Sequence, residues 1–140
     1  MPPYTPPYTA LPIVAPFIAA TALTAVRPLT RRWFNDIATC AVVAGVITLC
    51  ALLLSRSAAR PLAYWMGGWT PSHGVTIGIS LSVDPIGAGL ALFAGVLVVA
   101  ALLYSLHYFD DVDGVFHVLM LLFCAAMVGF CLTGDLFNLV

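Results

Sequence analysis

Four long uncharged runs dominate the pattern of hydrophobic and polar positions along this chain. Each run has roughly the 17–25 residues that an α-helix needs to cross about 30 Å of hydrocarbon. Because backbone groups cannot stay unpaired in lipid, the runs are predicted to be transmembrane helices. They cover residues 10–26, 37–54, 86–106 and 115–133. The first is the weakest prediction, because it is short and contains Pro12 and Pro16.

The surface loop 55–85, between the second and third runs, has a different pattern. Trp65 and Trp69 are aromatic residues of the kind that favour the membrane–water boundary. Residues 75–83 then alternate apolar with small or polar side chains, which is typical of a half-buried strand. Since one strand would leave an unpaired edge, it is predicted to belong to a surface hairpin or to pair with another subunit. The predicted fold is an all-α membrane protein with this short β-element between helices two and three.

Composition excludes a soluble domain. The chain is 62% hydrophobic and 8% charged, whereas soluble domains have about 25% charged residues. A net charge of −1 provides no basic patch for nucleic acid. The cysteines lie in apolar runs without metal-ligand spacing, and no cofactor or enzyme motif is present. Residues 1–140 are therefore predicted to form a single membrane domain whose solvent is the lipid bilayer.

The arginines predict how the chain is oriented. Arg27, Arg31 and Arg32 lie in the loop between the first two runs. The positive-inside rule therefore places that loop in the cytoplasm and the N-terminus outside it. The loop 55–85 is then predicted to lie on the outer side, and the loop between the third and fourth runs on the cytoplasmic side.

Ionisable residues near the predicted spans are the candidates for an ion path. The four uncharged runs contain no Asp, Glu, Lys or Arg. His117, in the first turn of the fourth run, would serve either as a proton relay or as an inter-helix hydrogen-bonding residue. Asp84 and Asp135 stand at helix starts on the same predicted side, where a carboxylate caps the helix or lines an ion path. Gly87 and Gly89 are predicted to let another helix approach the third one closely.

Several short motifs, taken together, resemble a known family. The run 133–139, T-G-D-L-F-N-L, resembles the motif that opens the fifth helix of the D-type subunit of Mrp-type sodium/proton antiporters. Gly67 and Gly68, with Trp65 and Trp69, are similar to the family's Y-x-x-G-G-W loop. The segments 83–84 and 104–108 are similar to its V-D and Y-S-x-x-Y motifs. The family also supplies the antiporter-like subunits of complex I.

The resemblance implies a part of a larger machine. In the family, a glutamate in the fifth helix and lysines in later helices carry the proton relay, within about fourteen helices. This sequence ends at Val140, before that glutamate, and contains no Glu or Lys. The chain is therefore expected to be the N-terminal portion of such a subunit, a fragment that includes the start of a fifth helix. The implied location is the cell membrane, and the implied partners are other subunits, protons and sodium.

Two alternatives remain open beside the antiporter subunit. One is a proton-translocating membrane subunit of an NADH-quinone oxidoreductase or a membrane hydrogenase, since the first four helices are peripheral in both kinds of complex. The other is a stand-alone four-helix assembly protein. In each of the three interpretations the chain is not itself an enzyme.

Overall fold

The computed structural model describes residues 7–26, 31–58, 62–65, 80–108 and 114–134. A single 3-10 turn, Pro7–Thr9, leads into the first helix. The helices are α1 (Leu11–Val26), α2 (Arg32–Ser57), α3 (Pro85–Tyr108) and α4 (Gly114–Leu132), and the strands are β1 (Leu62–Trp65) and β2 (Ser80–Val83). A mostly helical chain with a small sheet between helices two and three is the predicted fold class, which the structure confirms.

The helices form a four-helix bundle. α1 and α3 each pack against both α2 and α4, and α2 and α4 also touch across the bundle. Small and branched aliphatic side chains fill the core, with Val43, Val46, Leu121 and Val128 completely buried. We call the end with β1, β2 and the start of α3 the hairpin end, and the end where α2 and α4 begin the opposite end.

Within the described residues, three helical segments are long and apolar enough to cross a membrane. These are Trp33–Ser57, Pro85–Ser105 and Val115–Leu132, with mean hydropathies of 2.5 to 2.6. α1 is apolar but has only 16 residues, which corresponds to about 24 Å at 1.5 Å per residue. Large apolar side chains such as Ile86, Phe93 and Phe130 are exposed on the bundle surface. The chain is a multi-pass membrane protein, and α1 is the shortest of its four predicted spans.

α2 is longer than the uncharged run that predicted it. The helix begins at Arg32 and ends at Ser57, whereas the sequence suggested 37–54. Asp36, which the sequence placed in the loop, therefore lies in the second turn of the helix. The boundary was wrong because an absence of charge marks only the part of a helix that lies in hydrocarbon. Helical hydrogen bonding continues into the membrane–water interface, where charged side chains contact water or a polar side chain.

The two strands form the predicted hairpin. β1 and β2 pair in antiparallel register, with Leu62 opposite Val83. Leu81 and Val83 are buried and Ser82 is exposed, so side chains alternate as expected for a half-buried strand. Of the predicted strand 75–83, residues 75–79 lie outside the described part of the chain.

The chain after α4 returns to the second strand. Leu81 forms a bridge with Thr133, and the backbone N–H of Gly134 donates to the carbonyl oxygen of Ser80 at 3.0 Å. A Cβ at Gly134 would lie 2.7 Å from the Cβ of Ser82. Glycine therefore permits this close contact, and the first two residues of the T-G-D-L-F-N segment dock on the hairpin.

Candidate functional site

The candidate functional site is a histidine–aspartate pair between α4 and α2, in which the histidine is buried and the aspartate partly exposed. Nε2 of His117 lies 2.5 Å from Oδ1 of Asp36, and the two side chains are 4% and 19% exposed. Charge-assisted hydrogen bonds of this kind are shorter and stronger than neutral ones. Since a carboxylate oxygen only accepts, Nε2 carries the hydrogen of this bond. Among the two roles considered for His117, the structure shows the inter-helix hydrogen bond.

Chain topology brings these two residues together. α2, α3 and α4 run in alternating directions, so the first turns of α2 and α4 lie at the same end of the bundle. Asp36 is the partner that sequence reasoning missed. The signal was present, since the positive-inside argument had already placed the starts of these two helices on the same side. What it lacked was the knowledge that α2 and α4 touch across the bundle.

Two polar atoms near this pair have no hydrogen-bond partner within the described part of the chain. One is Nδ1 of His117, the ring nitrogen that does not face Asp36. The other is Oγ1 of Thr39, one helical turn along α2 from Asp36, whose side chain is completely buried. Buried polar atoms are nearly always hydrogen-bonded in folded proteins, because leaving one unpaired costs about 1–3 kcal/mol.

Asp84 has a structural role at the other end of the bundle. Its Oδ1 accepts a hydrogen bond from the backbone N–H of Gly87 at 2.9 Å, and its carbonyl oxygen accepts one from the N–H of Ala88 at 2.9 Å. This is the capping that Asp followed by proline predicts at a helix start. Asp84 and His117 lie at opposite ends of the bundle, so the structure does not bring these two ion-path candidates together. Asp135 lies outside the described residues.

The predicted packing glycines differ in how closely other parts of the bundle approach them. A Cβ at Gly87 would lie 2.5 Å from the carbonyl oxygen of Cys131, so α3 and α4 approach closely there. Gly95 makes a similar approach to the side chain of Ile47 at 2.9 Å. A Cβ at Gly89 would meet no atom within 4 Å, so the close approach predicted for it is absent from the described structure.

The remaining predicted interface residues lie in or near the hairpin. Trp65 is half-buried at the end of β1, and its Nε1 has no partner among the described residues. Gly67, Gly68 and Trp69 lie outside the described part of the chain. The four cysteines are free and lie in α2 and α4. Within the described ranges, no group of three or more His, Cys, Asp or Glu side chains is placed to hold a metal ion.

Comparison with known proteins extends this description. The chain is 34% identical over 134 residues to the NADH-quinone oxidoreductase subunit N of Desulforudis audaxviator, covering 91% of this chain and 25% of that protein. It is 29% identical over 136 residues to the D-type subunit of a probable K⁺/H⁺ antiporter of Rhizobium meliloti, covering 92% of this chain and 24% of that protein. No family model matches the chain.

The fold also has a counterpart among solved structures. A chain of the membrane-bound sulfane sulfur reductase, an archaeal respiratory membrane complex, superposes with a TM-score of 0.81 at 22% identity. The match covers 93% of this chain and 26% of that chain. At this identity the superposition establishes the fold alone.

These similarities define the class of protein. The fold is that of a helical membrane subunit, and its curated relatives are membrane subunits of antiporter or respiratory complexes. The chain belongs to the family of proton-conducting membrane subunits that complex I and cation/proton antiporters share. It spans about a quarter of the length of those relatives.

Proposed function

We propose that this chain forms the N-terminal helical bundle of an antiporter subunit resembling the D-type subunit of Mrp antiporters. In this role it supports proton translocation within a multisubunit membrane complex and catalyses no reaction. The observation that carries the proposal is the similarity over more than nine-tenths of the chain to two proton-linked membrane subunits. The order of the family-like motifs along the sequence supports an N-terminal position.

The structure favours a structural role for the bundle over a role in conducting protons. Asp36 lies in the second turn of α2 and His117 in the first turn of α4, so the pair is close to one end of the bundle. Toward the hairpin end, the buried core consists largely of aliphatic and small side chains such as Val46, Ala91 and Val128. The buried polar residues described at that end, Thr9 and Ser57, carry uncharged hydroxyl groups. Apolar walls hold water poorly. Protons crossing the full thickness of the membrane would therefore use ionisable groups outside the described bundle.

The outer faces of α3 and α4 offer surface for further helices. Leu90 and Phe93 on α3, and Leu119 and Phe123 on α4, are more than half exposed. In lipid, helices associate through close packing of such surfaces and not through a hydrophobic effect. Other helices of the complex and the lipid bilayer are the proposed neighbours of these faces.

A second candidate function is a proton-translocating subunit of a complex I-like oxidoreductase or a membrane hydrogenase. The observation in its favour is the 34% identity to subunit N of an NADH-quinone oxidoreductase. Antiporters and these oxidoreductases differ in the soluble redox subunits attached to the membrane arm. The composition of the native complex therefore distinguishes the two functions.

The proposal predicts that the native protein is part of a multisubunit complex. The protein would be tagged at its own gene, solubilised in mild detergent, and its co-purifying partners identified by mass spectrometry. We expect other membrane subunits, and cation-dependent proton exchange by the complex reconstituted in vesicles. Iron–sulphur or flavin subunits with quinone-linked activity would establish the second function instead. A single species without partners would contradict both and leave the assembly protein.

Orientation gives another prediction, with the N-terminus on the outer side of the cell membrane. The chain with Ser72→Cys should react with a membrane-impermeant thiol reagent added to intact cells, because the loop 55–85 is proposed to face outward. The chain with Thr30→Cys should react only after the membrane is opened. The native cysteines lie within helices, so the unmodified chain gives the background. The reverse labelling pattern would overturn the orientation.

A further inference from the structure

In the Asp36–His117 pair, Nδ1 of His117 has no hydrogen-bond partner among the described residues. With Nε2 of His117 donating to Asp36, the neutral ring presents Nδ1 as an acceptor, and the protonated ring presents Nδ1 as a donor. Within the described part of the chain no protein atom meets either need. The side chain is 4% exposed, so bulk water does not reach it freely.

Thr39 provides an independent second observation. Threonines inside helices commonly direct the hydroxyl to the carbonyl oxygen three or four residues earlier. Thr21, Thr24 and Thr48 do so here, with Oγ1 to oxygen distances of 2.8 to 3.2 Å. Thr39 is more buried than these three, and its hydroxyl makes no such bond within the described structure. Its hydroxyl is therefore available to a ligand that is not part of the protein.

We propose that a water molecule bound between Nδ1 of His117 and Oγ1 of Thr39 extends the Asp36–His117 pair into a buried polar site, near the end of the bundle where α2 and α4 begin. Water suits the site because it donates to Nδ1 of a neutral ring and accepts from Nδ1 of a protonated one. Buried waters characteristically satisfy two to four otherwise unpaired polar groups. Asp36, at 19% exposure, is the more accessible member of the pair.

The consequence is that the histidine ring is held from two sides, by Asp36 at Nε2 and by the water at Nδ1. Nε2 keeps its bond to Asp36, and the water can pair with Nδ1 whether that nitrogen accepts or donates. The ring then remains oriented by the carboxylate in both charge states. This goes beyond the proposed function, because it concerns a pair inside this chain and holds for either kind of complex.

The proposal is tested by measuring whether water contacts Nδ1 of His117. The full chain, labelled with ¹⁵N-histidine and carrying His73→Gln and His107→Gln, leaves His117 as its only histidine signal. In lipid nanodiscs, solid-state NMR should show magnetisation transfer from water to Nδ1 of His117. Thr39→Val should reduce this transfer severalfold, because it removes the hydroxyl and keeps the shape. Thr48→Val on the same helix should leave it unchanged, since that hydroxyl is bonded to its own helix.

The thermal unfolding midpoint gives a second test. The competing explanation, in which the Thr39 hydroxyl is simply unpaired, predicts a change of the opposite sign. If the Thr39 hydroxyl binds water, Thr39→Val should lower the thermal unfolding midpoint relative to Thr48→Val, and Thr39→Ser should restore both midpoint and transfer. If the hydroxyl is simply unpaired, Thr39→Val should raise the midpoint. Absence of water transfer in the unsubstituted site, or transfer unaffected by Thr39→Val, would overturn the proposal. Since the assay uses the purified chain, its result is separate from that of the complex purification.

Discussion

Replacing His117 by alanine should lower the free energy of unfolding by about 2–3 kcal/mol. The substitution leaves the Asp36 carboxylate, which is 19% exposed, without its partner between two helices. Removing one member of a buried pair costs more than the pair itself contributes, because the remaining charge stays desolvated. Equilibrium unfolding of the purified chain in mixed micelles would measure the loss. Leu119→Ala, at an exposed position of the same helix, is the control and should change little.

A double-mutant cycle isolates the interaction itself. Asp36→Ala alone, His117→Ala alone and both together should give a coupling free energy of about 1.5–3 kcal/mol, as expected for a hydrogen bond to a charged group. The double variant should be no less stable than His117→Ala, because it no longer contains an unpaired carboxylate. Additive losses from the two single substitutions would mean that the contact contributes nothing to stability.

Sequence patterns predicted the parts of this fold that depend on local chemistry. Uncharged runs located the helices because the bilayer requires apolar side chains and internal hydrogen bonds over a fixed length. The alternation that ends at Val83 predicted a half-buried strand, and Asp84 before Pro85 predicted a capped helix start; the structure has both. Each of these signals is contained in a few consecutive residues.

Such local patterns could not predict the long-range contacts. Asp36 and His117 are 81 residues apart, and neither has a neighbour in sequence that indicates the other. Their pairing depends on which helices touch diagonally in the bundle, which periodicity does not specify. The sequence did not assign the first strand, β1, to particular residues. All four of its residues are half-buried, so its pattern does not alternate.

The same distinction applies to the glycines. From sequence, Gly87 and Gly89 were equivalent members of a small-residue pattern. In the structure, Gly87 faces the end of α4, where a Cβ would lie 2.5 Å from the carbonyl oxygen of Cys131 and 2.6 Å from Oδ1 of Asp84. Two residues farther along a helix the direction of the side chain changes by about 200°, and Gly89 faces open space.

Gly87→Ala is therefore expected to destabilise the bundle, whereas Gly89→Ala is not. At Gly87 the methyl group would overlap backbone of α4 and the capping carboxylate, so α3 must move away or the cap must break. Overpacking of this kind costs about 1–3 kcal/mol, and loss of an N-cap costs about 1 kcal/mol. At Gly89 the methyl group meets nothing, and alanine improves helix propensity by up to about 1 kcal/mol.

The pair of variants gives a comparison in which the chemical change is identical and only the surroundings differ. Overpacking and the disturbed cap together should make the two unfolding free energies differ by about 2–4 kcal/mol, with Gly89→Ala the more stable protein. Adding Asp84→Ala to each variant tests the cause. Because Gly87→Ala already disturbs the cap, the second substitution should cost less there than in the Gly89→Ala background. Equal stability of Gly87→Ala and Gly89→Ala would show that α3 and α4 do not approach each other at this position.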